Sequence, residues 1–422
     1  FRTFFDNSII RTFLTVFSIT ISSAAVAVIM MLFTLSVRAV DAPKFVKNYI
    51  TEEIENLDFE SQFEFGRVQI ALSENFNPKI IVSDVTIYDN VDSLPFLEIS
   101  KLELGASLRQ ISTGNFNLST ILLDGLTIGV SRDITGDYSI KFGQNSLLTS
   151  EVDVFSPASM GLRKFFEREA FLDLENFTVT SMTVQYDDQK ESKLWVIDGA
   201  RIELNKQLDD VFVRGDAAFL MGGADISMLQ VNYETNLKSG DGSVGILFEG
   251  FPSKEIAAQA PALSWLNIVE APISGAFRTK VGSEMEVDEI NASLRIGSGV
   301  IRADDKSKPL RFDNANVYFS YNRKINLLNF EEITINSTDL QTILAGSVQL
   351  KVDENKRTYY TGTLTANELK ANPLEIYERA LELEDVVIDF LLEPKPFNLE
   401  ILKLSARDPL RELVIFAKGQ II

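Results

Sequence analysis

Residues 117 to 140, NLSTILLDGLTIGVSRDITGDYSI, set an apolar side chain at nearly every second position. The first strand of this stretch carries Leu118 and Leu122 and then, in a shifted register, Leu126, Ile128 and Val130. A TGD turn at 135 to 137 leads to a second strand. From about Phe63 onward the alternation hardly stops: KIIVSDVTIYD, FLEISKLELGASL, FTVTSMTVQYDD, KLWVIDGARIELN, ADISMLQVNYETN, INASLRIGSGVIRADD, NANVYFSYN and INLLNFEEITIN all repeat it. A period of two with many β-branched and aromatic residues predicts strands with one buried face. Phase shifts, as between Ile99 and Leu102, predict bulges or tight corners. Turns are expected at MGGAD 221 to 225, SGDG 239 to 242 and VDENK 352 to 356.

Helical periodicity is scarce. It appears near 159 to 171, 253 to 269 and 373 to 384, and in PKFVKNYITEEIENLDF, where Tyr49, Ile50, Ile54 and Leu57 share one side behind Pro43. Short helices of this kind do not cover the apolar faces of so many strands. The cover must be a second sheet, a curled sheet facing itself, or something outside the protein. From Thr12 to Val37, between Arg11 and Arg38, the chain has no charged residue. As a helix this run is about 39 Å long, more than the ~30 Å hydrocarbon core of a bilayer. It is too long for a signal-peptide core and is read as a transmembrane anchor, although the flanking Arg2, Arg11, Arg38, Lys44 and Lys47 do not fix its orientation.

Composition narrows the chemistry. With 60 acidic and 40 basic residues the net charge of −20 argues against nucleic acid as a partner. The sequence has no Cys and no His, which removes the usual zinc, haem and iron-sulfur ligands and His-based acid/base or triad catalysis. No catalytic residue, metal site or cofactor is expected. SGDGSVG lacks the helix that a phosphate loop needs behind it and reads as a hairpin turn. Asp187-Asp188, Asp209-Asp210 and Asp304-Asp305 lack the spacing of a calcium loop and read as solvated turns. The N-x-Ser/Thr triplets at Asn117, Asn176, Asn291 and Asn336 fall in or beside predicted strands and read as chance. The 30 Phe residues suit either a core or a surface that meets hydrocarbon.

One N-terminal membrane helix, a short amphipathic helix and then PKIIVSDVTIYDN, LPFLEISKLELGASL and GNFNLSTILLDGLTIGVSRDITGDYSI together resemble the N-terminal region of AsmA-like proteins. WLNIVEAPISGAFRTKVGSEMEVDEINASLRIGSGVIRADD, continuing to Asn322, is similar to the central region of the large YhdP-like members. The resemblance covers nearly the whole chain through degenerate patterns. It implies a bacterial inner-membrane protein, single-pass, with its bulk in the periplasm, related to bridge-like lipid transfer proteins whose long sheet encloses an apolar groove. It also implies that this sequence is the membrane-proximal part of a longer chain.

The expected fold is mainly β: one N-terminal transmembrane helix, then a long curled antiparallel sheet forming a groove, with a few short helices. The expected organisation is a cytoplasmic stub and membrane helix over 1–40, an amphipathic juxtamembrane helix over 41–60, an AsmA-like β unit over 61–150, a central groove over 151–270, and a continuing groove over 271–422. The expected function is to hold or conduct phospholipid acyl chains between inner and outer membranes. The residues assigned to the groove are Leu126, Ile128, Val130, Val179, Val184, Val196, Ile202, Leu204, Val231, Ile246, Phe248, Leu294, Ile296, Val317, Phe319, Ile333 and Ile335. The competing structural reading makes them an ordinary sandwich core. Expected partners are the membrane, phospholipid and other envelope proteins. The competing functions are a TamB-like scaffold for outer-membrane protein assembly, in which a free sheet edge templates client strands, and an accessory subunit of a membrane complex.

Overall fold

The computed structural model describes residues 7–44, 47–48, 61–89, 95–108, 117–135, 138–142, 158–168, 171–189, 193–220, 226–257, 261–283, 287–302, 309–352, 357–372, 379–394, 397–411 and 413–421. The chain is mainly β, with antiparallel strands that do not close on themselves and few helices. The amphipathic segment expected over 41–60 lies mostly outside the described residues, with Lys44, Lys47 and Asn48 helical. By their contacts the residues fall into two compact units, Phe1–Val152 with Lys164–Leu194, and Asp153–Arg163 with Trp195–Ile422.

The first unit opens with α1, Asn7–Val37, whose Thr12–Val37 stretch has mean hydropathy 2.3 and is not buried by the protein. The Thr20 and Thr34 hydroxyls are satisfied within the helix, donating to the carbonyls of Val16 and Met30, four residues earlier. After β1, Val40–Asp41, the strands are β2, Ser61–Glu64; β3, Val68–Leu72; β4, Pro78–Asp89; β5, Pro95–Ala106; β6, Leu118–Arg132; β7, Tyr138–Phe142; and β8, Asn176–Asp188. They pair antiparallel, except that β6 and β8 run parallel across a connection containing β7 and α2, Ala158–Phe166. Phe165 at the end of α2 stacks on Phe171 and meets the edge of Phe177 on β8, which secures that connection.

The expected phase shifts are real and line up across neighbouring strands. Asp84 on β4, Gly125 on β6 and Ser181 on β8 all have positive φ, at 55°, 77° and 51°. Between β4 and β5 the pairing runs through Ser83 with Lys101 and resumes at Val85 with Ile99. Each strand thereby skips one position, and Val82, Val85, Ile99, Ile121, Leu126, Val179 and Met182 are all buried. In the first half of β6, however, Leu122 pairs with Glu103 and Thr178, on the polar side, while Ile121 and Leu123 pair with Leu104 and Leu102. The inward assignment of Leu122 is therefore corrected by one position.

The second unit holds β9, Lys193–Gln207; β10, Asp210–Leu220; β11, Ile226–Asn236; β12, Gly242–Pro252; β14, Pro272–Val281; β15, Val287–Ile296; β18, Asn314–Asn322; β19, Leu327–Asn336; β20, Leu340–Val352; β21, Thr358–Ala371; β22, Leu381–Pro394; β23, Phe397–Asp408; and β24, Leu413–Ile421. Each pairs antiparallel with the next in this order. SGDG forms the β11–β12 hairpin as expected, with Gly240 at φ 78° and the Asn236 side chain accepting from the backbone of Lys238 and Ser239. The helix expected over 373–384 is corrected in its described part, because residues 381–384 open β22.

Between β12 and β14 the chain leaves the sheet as an insert: α3, Ser253–Ala257, then a 3-10 helix, Pro261–Ile268, then β13, Val269–Glu270. A small second sheet joins β13 to β16, Gly299–Ile301, and β17, Leu310–Phe312. Pro252 stands opposite Pro272 where the insert departs. Neither can donate to the ladder, so the pairing ends there.

Candidate apolar groove and its insert

Alternation assigns a face to the strand residues of the large sheet in the second unit, because paired residues in an antiparallel ladder project to the same side. Starting from the buried Phe219, the shared face contains Ile202 and Leu204 on β9, Val231 on β11, and Ile246 and Phe248 on β12. It continues through Leu294 and Ile296 on β15, Val317 and Phe319 on β18, and Ile333 and Ile335 on β19. The sequence-assigned residues of this unit thus come together, with one exception. Gly199, at φ 69°, inserts a bulge in β9. Ahead of it Trp195 and Ile197 take the apolar face, and Val196 turns to the other side, 39% exposed. In the first unit Leu126, Ile128, Val130, Val179 and Val184 share a face of the β6–β8 pair, with Leu126 and Val179 buried.

The apolar face of the second unit is not capped by another sheet of similar extent among the described residues. The insert lies on it: Ile256, Ala257, Leu263 and Leu266 are buried in the same core as Phe248, Leu294, Phe319, Tyr360 and Phe390. Leu263 lines a recess with Leu229 and Ile246, while its neighbour Ser264 makes a 2.8 Å hydroxyl–hydroxyl hydrogen bond with Tyr360 on β21. In a flat sheet β12 and β21 would lie about 29 Å apart at ~4.8 Å per strand. Adjacent insert residues reach both because the sheet of this unit bends around the insert.

Two apolar recesses remain beside the insert. The larger, about 470 Å³, is lined by Trp195, Phe219, Leu229, Ile246, Phe248 and Phe277 among others, and by Ile256 and Leu263 of the insert. Its rings form a run of contacts: Trp195 with Phe219 at 6.3 Å, Phe219 with Phe251 at 5.3 Å, Phe251 with Phe248 at 5.9 Å and Phe248 stacked on Phe277 at 5.5 Å. The smaller, about 150 Å³, lies between Trp265, Val317, Phe330, Ile333, Tyr360 and Phe390. Sequence reasoning selected Phe248 and Phe319 of this aromatic lining and missed Trp195, Phe219, Phe251 and Phe277, although Trp195 and Phe277 carry the same alternation as the residues it selected; bulge phase hid the first.

Two described tyrosine hydroxyls on this face are shifted by burial. Burial pushes the Tyr360 hydroxyl up to about 12, partly offset by its hydrogen bond with Ser264. Burial also raises Tyr321, against the opposing effect of nearby Arg323, and its hydroxyl donates to Asn326 at 2.8 Å. The opposite face mixes charged and polar side chains with exposed apolar ones such as Phe212, Met228, Leu247 and Ile343, and carries a shallow trough of about 640 Å³ among Glu203, Arg214, Asn232, Glu234, Arg278, Lys280 and Phe212. The lining of both recesses is mainly apolar and offers contact to hydrocarbon. No family model, no curated protein and no solved structure matches this chain.

Proposed function

We propose that this chain is an inner-membrane-anchored periplasmic protein that holds or conducts phospholipid acyl chains on the apolar face of its bent sheet, as the AsmA-like resemblance implies. The observation that carries the reading is that apolar residues from β9 to β23 share one face, while the described cover is the short insert with the small β13–β16–β17 sheet, flanked by open apolar recesses. The energetics favour such a device. A diacyl lipid crossing water exposes on the order of 30 methylenes at ~0.8 kcal/mol each, so roughly 20 to 25 kcal/mol opposes free transfer. An apolar surface continuous over many strands lowers that barrier without gripping one lipid, and α1 is long enough to fix it to a bilayer.

Mass spectrometry of lipids extracted from the purified chain tests the reading, with phospholipid expected at reproducible stoichiometry. Ile333→Glu and Ile335→Glu charge a half-buried part of the face and are expected to reduce the bound lipid several-fold. Lipid-free protein, or retention unchanged by both substitutions, overturns it. A strand-templating scaffold would keep its client binding in those variants, since the sheet edges are untouched.

A further inference from the structure

We propose that the larger recess is a site for one single-chain anionic amphiphile, a long-chain fatty acid being its simplest form, bound with the chain end under the insert and the carboxylate at the rim. This rests on the groove reading and names an occupant for one part of it. The recess is graded along its length. At the insert end Phe219, Phe248, Phe251, Ile256 and Leu263 are all buried; at the other end Val244, Thr279, Ile290 and Tyr321 are half-exposed. A hydrocarbon chain entering from the rim therefore finds a closed apolar end, which suits a methyl terminus and gives no exit for a polar head.

Charge sets the same direction. Glu255 lines the recess on the insert side, where it repels an anion. Arg323, exposed and two residues beyond Tyr321 at the open end, lies close enough to the Tyr321 hydroxyl to favour its ionised form, whereas Arg278 projects to the opposite face. A carboxylate at the rim meets this guanidinium while remaining solvated; the Thr279 and Tyr321 hydroxyls beside it already donate to the Glu289 carbonyl and to Asn326. The net charge of −20 acts on approach, but ions screen it beyond about 10 Å at 0.1 M salt, so the near Arg323 guanidinium decides the bound state. The width argues for one chain. The insert divides the face, with Leu263 on the larger recess and Trp265 on the smaller, so two chains of one lipid cannot lie side by side in the larger recess without displacing it.

The test uses the full chain in detergent with palmitic acid carrying a terminal diazirine, beside the matching diazirine hexadecanol. Peptide mapping after irradiation is expected to find palmitate adducts on segments containing Phe251 or Leu263. Ile246→Trp fills the recess and is expected to cut those adducts at least ten-fold. Arg323→Glu, at an exposed position, is expected to weaken palmitate binding about ten-fold and leave the alcohol unchanged. If Ile246→Trp does not fold, the adduct map of the unaltered chain and the Arg323→Glu comparison still decide. Adducts elsewhere on the apolar face but none at the closed end overturn this site and leave the groove reading standing; no adduct anywhere on that face overturns both. Equal loss of acid and alcohol in Arg323→Glu overturns the anionic head.

Discussion

Tyr360 is the residue on which the insert and the sheet meet. It is 2% exposed and its hydroxyl shares a hydrogen bond with Ser264. Tyr360→Phe keeps the ring and is expected to cost about 1 kcal/mol in denaturant unfolding. The folded pKa is about 12 against an ordinary 10.0, so the folded state holds the proton more tightly than the unfolded chain. Its contribution is fully present below pH 10 and is lost as pH rises from 10 through 12, at about 1.4 kcal/mol per pH step. Stability of the unaltered chain is expected to fall more steeply over that window than that of Tyr360→Phe. Parallel pH curves would contradict the burial of this hydroxyl. A second residue-level contrast separates the faces. Leu294→Ala, at a position 2% exposed, is expected to cost about 2 to 5 kcal/mol. Val196→Ala, on the exposed side, is expected to stay within about 0.5 kcal/mol.

At the scale of the element, the bulges decide which residues face the groove. Alternation made most of the face legible in the sequence because side chains in a strand have a period of two, and Ile246, Leu294, Val317 and Ile333 follow from it directly. Bulge phase was not legible at every site. In VIDGARI an inserted residue at Gly199 leaves the apolar spacing apparently regular, so Val196 and Ile202 look equivalent and are not. In TILLDG three consecutive apolar residues allow either parity, and pairing with β5 and β8 resolves it against Leu122. LELE near 381 fits a helix or a strand, and its neighbours β21 and β23 make it a strand. The two positive-φ glycines at these phase shifts yield a graded expectation. A Cβ at Gly199 meets nothing within 4 Å, whereas one at Gly125 meets the Ser100 Oγ and Cβ, the latter at 2.7 Å. Gly199→Ala is expected to cost about 1 to 2 kcal/mol from positive φ alone, and Gly125→Ala distinctly more, as read by the midpoint of urea unfolding.

For the molecule, an N-terminal membrane-length helix and a mainly β chain were both legible, the first from 26 uncharged residues and the second from sustained alternation. The destination of the 253–268 segment was not legible. Its helical pattern showed an apolar side but not that this side lies against the same sheet that produced it, a long-range contact set by the bend of that sheet. The one-sided strands of the second unit are therefore covered in part by the insert, and hydrocarbon is proposed for the recesses beside it.

The central claim is tested most directly by a photo-crosslinking amino acid placed at adjacent positions of one strand, Ile246 and Leu247 on β12. Both are apolar; Ile246 lines the larger recess, while Leu247 faces the other side at 54% exposure. With the chain in its native membrane, lipid adducts are expected at Ile246 and not at Leu247, with Ile333 and the 59% exposed Ile343 repeating the contrast. Equal labelling at inward and outward positions, or none at the inward ones, would contradict a lipid-holding face.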